Sequence, residues 1–322
     1  MASSFEMTRR AALYFLSASP VVLSAAPPSF AETTPRSFAL TTPIHIHSIA
    51  LRVNNLDMMT AFYSQIIGMD IIARTATGST LGKDGVPLME LLARPDFQAD
   101  DPSTAGLYHT AFLMPNRKEL GRWLITAVMN KIPFTGFADH LVSEALYLND
   151  PEGNGIEVYA DRPHEGWSWE ADGHVVMGTE QLDIDNLVND LPRDGTLPYK
   201  APAGFRIGHV HMRVGDTAKA QDFYIKATGL DLTALIANQS AAFFSSGHYH
   251  HHIGANIWQS RGAGKRPEKM NGLEYAAFSV APELMDGLTK RLRDHGTDIA
   301  EKGKTIETLD PWGTTIRYIE GA

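Results

Sequence analysis

From Ile49 the chain alternates apolar and polar residues, Ile-Ala-Leu-Arg-Val, the two-residue period of a half-buried strand. The pattern then widens to helical spacing through "NNLDMMTAFYSQIIGMDI", an amphipathic helix that turns at Gly68. The same succession returns in "VHMRVGDTAKAQDFYIKATGLDL", Val210 to Leu232, with its turn at Gly229. Val53 matches Val214 and Phe62 matches Phe223, both at an offset of 161 residues. A fainter echo links "GLYHTAFLM" (Gly106 to Met114) with "GLEYAAFSV" (Gly272 to Val280), each followed by its own helix and a return to strands. "NDPEGNGIEVY" and "LDPWGTTIRYI" close the two halves alike. The pattern therefore predicts an α+β protein of four βαβββ modules, roughly 44–104, 105–161, 205–262 and 270–320. It places a first domain at 44–162, an acidic, Trp- and Pro-containing linker at 163–204 and a second domain at 205–322.

The first 43 residues follow other rules. Paired Arg9 and Arg10, an apolar run from Ala11 to about Ala26 and the small-residue site Ser29-Phe30-Ala31 have the grammar of an export signal. The run is too short, and too broken by Pro20, to span a membrane. The Thr-Arg-Arg start is similar to a twin-arginine signal. Residues 1–31 are expected to direct export to the periplasm or beyond, and 32–43 to form a polar tether. No other stretch approaches transmembrane length.

Composition narrows the chemistry. The 322 residues are 43% hydrophobic, ample for two domains. With no cysteine, disulfides, thiolate metal sites and cysteine nucleophiles are excluded, and thirteen histidines make imidazole the natural metal ligand. A net charge of −9 without a basic block argues against nucleic acid.

The segment "ADHLVSEALYLNDPEGNGIEVYADRP" (Ala138 to Pro163) brings these threads together. Asp150-Pro151-Glu152-Gly153-Asn154-Gly155 reads as a tight turn, so His140 and Tyr147 lie on or before one strand and Glu157 on the strand returning beside it. With the repeat and its Asp-Pro-x-Gly turns, this arrangement resembles the vicinal oxygen chelate superfamily and, within it, the extradiol ring-cleaving dioxygenases of the catechol 2,3-dioxygenase group, over about residues 44–320. That group's signature is a histidine, an aliphatic residue with tyrosine, an acid-Pro-x-Gly turn and a glutamate. Here these are His140, Leu146-Tyr147, Asp150-Pro151-Glu152-Gly153 and Glu157, departing only at Ala138, where the group has Gly or a similar residue.

The resemblance implies two half-open barrels of paired modules, with two histidines and a glutamate holding Fe(II) on one concave face. Such a set leaves positions for two substrate oxygens and dioxygen. Mn(II) is the alternative ion. The corresponding first-strand positions here are Ser48, His109, His209 and Tyr275, and the closing-strand positions are Glu157 and Arg317. Only pairing the second module with the third collects His109, His209 and Glu157, which implies a composite barrel, within one chain or between two subunits. A rival site would use His45 or His47. Strict alternation puts His47 on the packing face with Ile49, Leu51 and Val53, whereas His209 opposes Val210, Met212 and Val214. His211 shares the His209 face.

In "SSGHYHHHIGANIW" the resemblance assigns His251 the proton-donor position at the dioxygen side, with His250 and His252 as one-residue alternatives. His140 and Tyr147 would bond the substrate hydroxyls, and Asn256 and Trp258 would line the pocket. The expected partners are a catechol-type aromatic and dioxygen, and a homo-oligomer is compatible with the pattern. Two further readings stay open: a glyoxalase-like non-oxidative metalloenzyme, needing a fourth ligand for which Glu90 is the candidate, and a metal-free ligand-binding protein of the same fold.

Overall fold

The computed structural model describes residues 37–236 and 238–321; the expected export signal and the start of the tether lie outside the described residues. The first module runs β1 (Ile44–Val53), α1 (Leu56–Gln65), β2 (Asp70–Arg74), β3 (Gly78–Lys83) and β4 (Val86–Ala93). The second comprises β5 (Gly106–Leu113), α2 (Arg117–Met129), β6 (Gly136–Asp139), β7 (Ser143–Asn149) and β8 (Gly155–Asp161). A short linker helix, α3 (Ile184–Val188), precedes the third module: β9 (Arg206–Arg213), α4 (Thr217–Gln221) continuing as a π-helical turn (Asp222–Ala227), β10 (Asp231–Ile236), β11 (Ala241–Ser245) and β12 (Ile253–Asn256). The last holds β13 (Gly272–Val280), α5 (Pro282–Asp294), β14 (Ile299–Lys302), β15 (Thr305–Leu309) and β16 (Thr315–Glu320). This is the vicinal oxygen chelate fold.

Two eight-stranded mixed sheets result, and neither is built from neighbouring modules of one half. One has the order β10-β11-β12-β9-β5-β8-β7-β6, the other β14-β15-β16-β13-β1-β4-β3-β2. Modules two and three thus share a sheet within one chain through the antiparallel pair β5–β9, and modules one and four share the other through β1–β13.

Local sequence explains the elements. Asn55, Asn116 and Asp216 cap α1, α2 and α4 by accepting main-chain N–H bonds, while α5 opens with Pro282. Gly68 and Gly229 follow their helices in the left-handed region, at φ +91° and +82°. Ile49, Leu51 and Val53 of β1 and Val210, Met212 and Val214 in and just after β9 enter one continuous apolar core with the helix residues Met59, Tyr63, Phe223 and Leu288. The repeated Phe-Tyr and Asp-Pro motifs meet in space: Tyr63 donates to Asp150 Oδ2 at 2.8 Å, so the first helix clamps the turn that precedes Glu157. Burial pushes the Asp150 carboxyl up to about 6.

Two expectations need correction. Residues 37–43 are packed rather than a tether: Phe38 stacks on His164 with ring centroids 4.0 Å apart, and the Ala39 carbonyl is 3.1 Å from His252 Nε2. His47 is not on the packing face, because a register shift between Ile46 and Ser48 breaks the alternation and leaves His47 half-buried.

Candidate metal centre

The sheet of modules two and three sets the site by register. Tyr147 pairs with Glu157 across β7–β8, Glu157 with Ala111 across β8–β5, and Ala111 with His209 across β5–β9. His109 precedes Ala111 by two residues on the same strand and opposes His211. Because side chains repeat every two residues, these groups line one face. His109 Nε2 and His209 Nε2 lie 3.0 and 3.2 Å from the same oxygen, Glu157 Oε2. All three residues are buried, and their donor atoms fall within 4.8 Å of one another.

The donor chemistry fits a divalent cation. His109 Nε2, though buried and close to the carboxylate, makes no aligned hydrogen bond, as expected of a lone pair aimed at a shared point. Burial pushes the His209 imidazole down to about 4 against the opposing pull of Glu157, so its neutral, ligating form prevails at neutral pH. Burial alone would raise the Glu157 carboxyl, but the imidazoles of His209 and then His109, pressed against its Oε2, hold it well below its ordinary range. Two imidazoles and one carboxylate gathered on one side suit an ion that keeps open positions toward solvent or substrate.

That open side faces a cleft of about 890 Å³, lined by His109, Tyr147, Glu157, His211 and His251 among others. On the β7 side, Tyr147 Oη and His140 Nε2 are 2.7 Å apart, and His140 Nδ1–H donates to the Gly178 carbonyl at 2.7 Å. That carbonyl fixes the tautomer, so in neutral His140 the Nε2 accepts from the tyrosine hydroxyl. Burial, then the Glu157 charge, pushes the Tyr147 hydroxyl well above 10 and keeps it protonated. On the β12 side His251 lies against His209, ring centroids 4.0 Å apart.

The histidine run divides by role. His251 lines the cleft, whereas His250 is turned to Asp161 and His252 points the other way, to Ser245 and the Ala39 carbonyl. His211 accepts from Asn256 Nδ2 at 3.0 Å, and Trp258 completes an aromatic wall with Tyr108. Sequence reasoning missed the linker, which supplies Met177 and Gly178 to the cleft; irregular segments carry no period that would place them.

The other sheet gathers different groups. Ala50 pairs with both Glu90 and Tyr275, and the Arg317 guanidinium lies 3.7 Å over the Tyr275 ring. Glu90 is therefore no fourth ligand to His109 and His209. His47 Nδ1 bonds Ser48 in this sheet, and His45 Nδ1 is 2.9 Å from the Thr42 carbonyl, so neither belongs to the triad.

A curled sheet carrying two histidines and a glutamate above a deep cleft defines a metal-using enzyme of this fold. Residues 45–158 and 206–318 match the family described as the glyoxalase/bleomycin resistance protein/dioxygenase superfamily. A catechol-2,3-dioxygenase of Bacillus subtilis (strain 168) is 38% identical over 273 residues, covering 83% of this chain and 94% of that one. A biphenyl-2,3-diol 1,2-dioxygenase 3 of Rhodococcus globerulus is 28% identical over 118 residues, 34% of this chain and 60% of that one. Glyoxalase I from Zea mays shares the fold, with a TM-score of 0.53 at 14% identity, covering 88% of this chain and 94% of that one. The chain belongs to the glyoxalase/bleomycin resistance protein/dioxygenase superfamily and, within it, is an extradiol dioxygenase, an oxidoreductase. Such an enzyme takes a small-molecule substrate and dioxygen. Among the described residues no helix is long and apolar enough to cross a membrane.

Proposed function

We propose that this chain opens a catechol-type ring beside its two hydroxyls, placing both atoms of dioxygen in the product, with Fe(II) held by His109, His209 and Glu157. The observation that carries this reading is the convergence of those three donors at a cleft that also holds His140 and Tyr147 on one side and His251 on the other. Mn(II) is the alternative ion for the same donors. When bound, the ion supplies adjacent positions for the diol oxygens and dioxygen and a path for electron density between them.

The protein's own part is proton traffic and orientation. A substrate hydroxyl beside Tyr147 gives its proton to the tyrosine oxygen as the tyrosine proton passes to His140 Nε2, and the Gly178 carbonyl steadies the imidazolium. His251, across the cleft, takes up a proton released by the substrate and then returns it on the dioxygen side. Tyr108, Phe243 and Trp258 line the cleft where the substrate ring would lie and offer it aromatic faces. The expected product is a 2-hydroxymuconate-type semialdehyde, in which the aromatic carbon–carbon bond is broken and the four electrons that reduce dioxygen come from the ring.

The test uses protein purified without oxygen and loaded with Fe(II), given catechol in aerated buffer. Oxygen uptake coupled to a new yellow absorbance is expected, and its loss in His109→Ala and His209→Ala. Stoichiometric metal without uptake, on catechol or its alkyl and aryl derivatives, would overturn the reading. For residues 1–31 we propose folded export through the twin-arginine route, supported by Arg9 and Arg10; normal export of an Arg9→Lys, Arg10→Lys double variant would count against it.

A further inference from the structure

Behind His251 lies a chain of polar groups that ring opening, as described so far, does not use. Asp161 ends β8, four residues beyond Glu157, and its Oδ1 is 2.9 Å from His250 Nε2. His250 Nδ1 is in turn 2.8 Å from His251 Nδ1. His250 is fully buried, packed on Tyr249 at 4.1 Å and Trp167 at 5.1 Å between ring centroids. The Tyr249 hydroxyl donates to both Asp161 oxygens, at 3.1 and 3.2 Å, and its own oxygen is 2.8 Å from the Tyr159 hydroxyl.

Donor and acceptor capacity gives this chain a direction. A carboxylate only accepts, so His250 Nε2 carries the hydrogen. A neutral His250 then offers a lone pair at Nδ1, and His251 must donate from its Nδ1–H. That leaves the His251 Nε2 lone pair for the cleft, with the ring braced between His209 at 4.0 Å and Phe243 at 4.8 Å. We propose that Asp161 and His250 are positioning residues that fix the tautomer and orientation of His251, so that its Nε2 faces the reacting oxygens as a proton acceptor. This rests on the reading of His251 as the group at the dioxygen side. Neither residue touches substrate; both act through His251, as outer partners orient a ligand or base.

The test separates tautomer from turnover. Metal-free protein labelled with 15N-histidine reports which nitrogen of His251 is protonated, with the resonance assigned by its loss in a His251 variant. Wild type is expected to show His251 as the Nδ1–H form. His250→Phe, which removes the acceptor, shifts it toward Nε2–H. In the Fe(II)-loaded enzyme the same variant loses about 10- to 100-fold in kcat while KM for catechol stays within about twofold. His250→Asn, whose Oδ1 can replace the Nδ1 acceptor, restores the Nδ1–H form and most of kcat.

Three results would overturn the inference. Wild-type His251 protonated at Nε2 would mean that His250 donates, as its doubly protonated form would. An unchanged tautomer in His250→Phe, or equal loss in the Phe and Asn variants, would reduce His250 to packing. Should wild type show the Nδ1–H form yet cleave no diol, the positioning stands and the ring-cleavage reading falls instead.

Discussion

His252 offers a sharp test of how the histidine run is divided. It is fully buried, with Nδ1 2.9 Å from Ser245 Oγ and Nε2 3.1 Å from the Ala39 carbonyl. Burial pushes its imidazole from 6.5 down to about 3, outweighing the Ala39 hydrogen bond. Below pH 6.5 the unfolded chain takes up a proton that the folded chain refuses, so folding stability falls as pH falls and keeps falling to about pH 3. Each unit below 6.5 costs about 1.4 kcal/mol, so the two units down to pH 4.5 cost about 2.7 kcal/mol through this one side chain. The assay is urea unfolding of metal-free protein at pH 7 and pH 4.5, for wild type and His252→Gln. Other titrating groups cancel in the comparison, including Asp150 and Asp310, whose carboxyls burial pushes up to about 6. The variant should be less stable at pH 7, having lost a fitted side chain, but should lose about 2.7 kcal/mol less than wild type on acidification. An equal acid loss in both proteins would refute the assignment of His252 as a buried, neutral structural pin.

Three further outcomes are expected. Fe(II) or Mn(II) at a hundred times its dissociation constant should raise the unfolding free energy of wild type by about 2.7 kcal/mol, and Glu157→Gln should abolish that increment; a retained increment would place the ion elsewhere. Tyr147→Phe removes the hydroxyl that bonds His140, and kcat/KM measured by oxygen uptake should fall by about 10²-fold or more; wild-type uptake would remove Tyr147 from the proton path. In Gly208→Ala the new Cβ would lie 1.7 Å from Tyr159 Oη, next to His209, so unfolding should be easier by about 1–3 kcal/mol. A wild-type urea midpoint there would mean that the tyrosine yields freely.

The repeat was legible because strand and helix periods are properties of neighbouring residues, and a 161-residue offset preserves them. The composite sheet was legible indirectly, since only one pairing of modules gathers His109, His209 and Glu157. What lay beyond reach depends on irregular backbone. The bulge that turns His47 aside interrupts the period of β1, and the Gly178 carbonyl that sets the His140 tautomer and the Ala39 carbonyl that meets His252 belong to segments without a period. Asp161 was hidden differently. It stands in a strand whose pattern is plain, but its partner His250 is 89 residues away, and no local signal joins them.

In chain order the strands of modules two and three lie between those of modules one and four, which bears on the order of assembly. The inner pair, β5 with β9, joins segments that start 100 residues apart, Gly106 and Arg206, whereas β1 and β13 bring Ile44 against Val280 across most of the described chain. Loop-closure entropy grows with span, and long-range pairings wait for the shorter ones that bring their ends together. The inner sheet is therefore expected to close first. A chain emerging from synthesis would have its metal-binding face built by about residue 260, and the last module would then act as a clasp that locks an already formed centre.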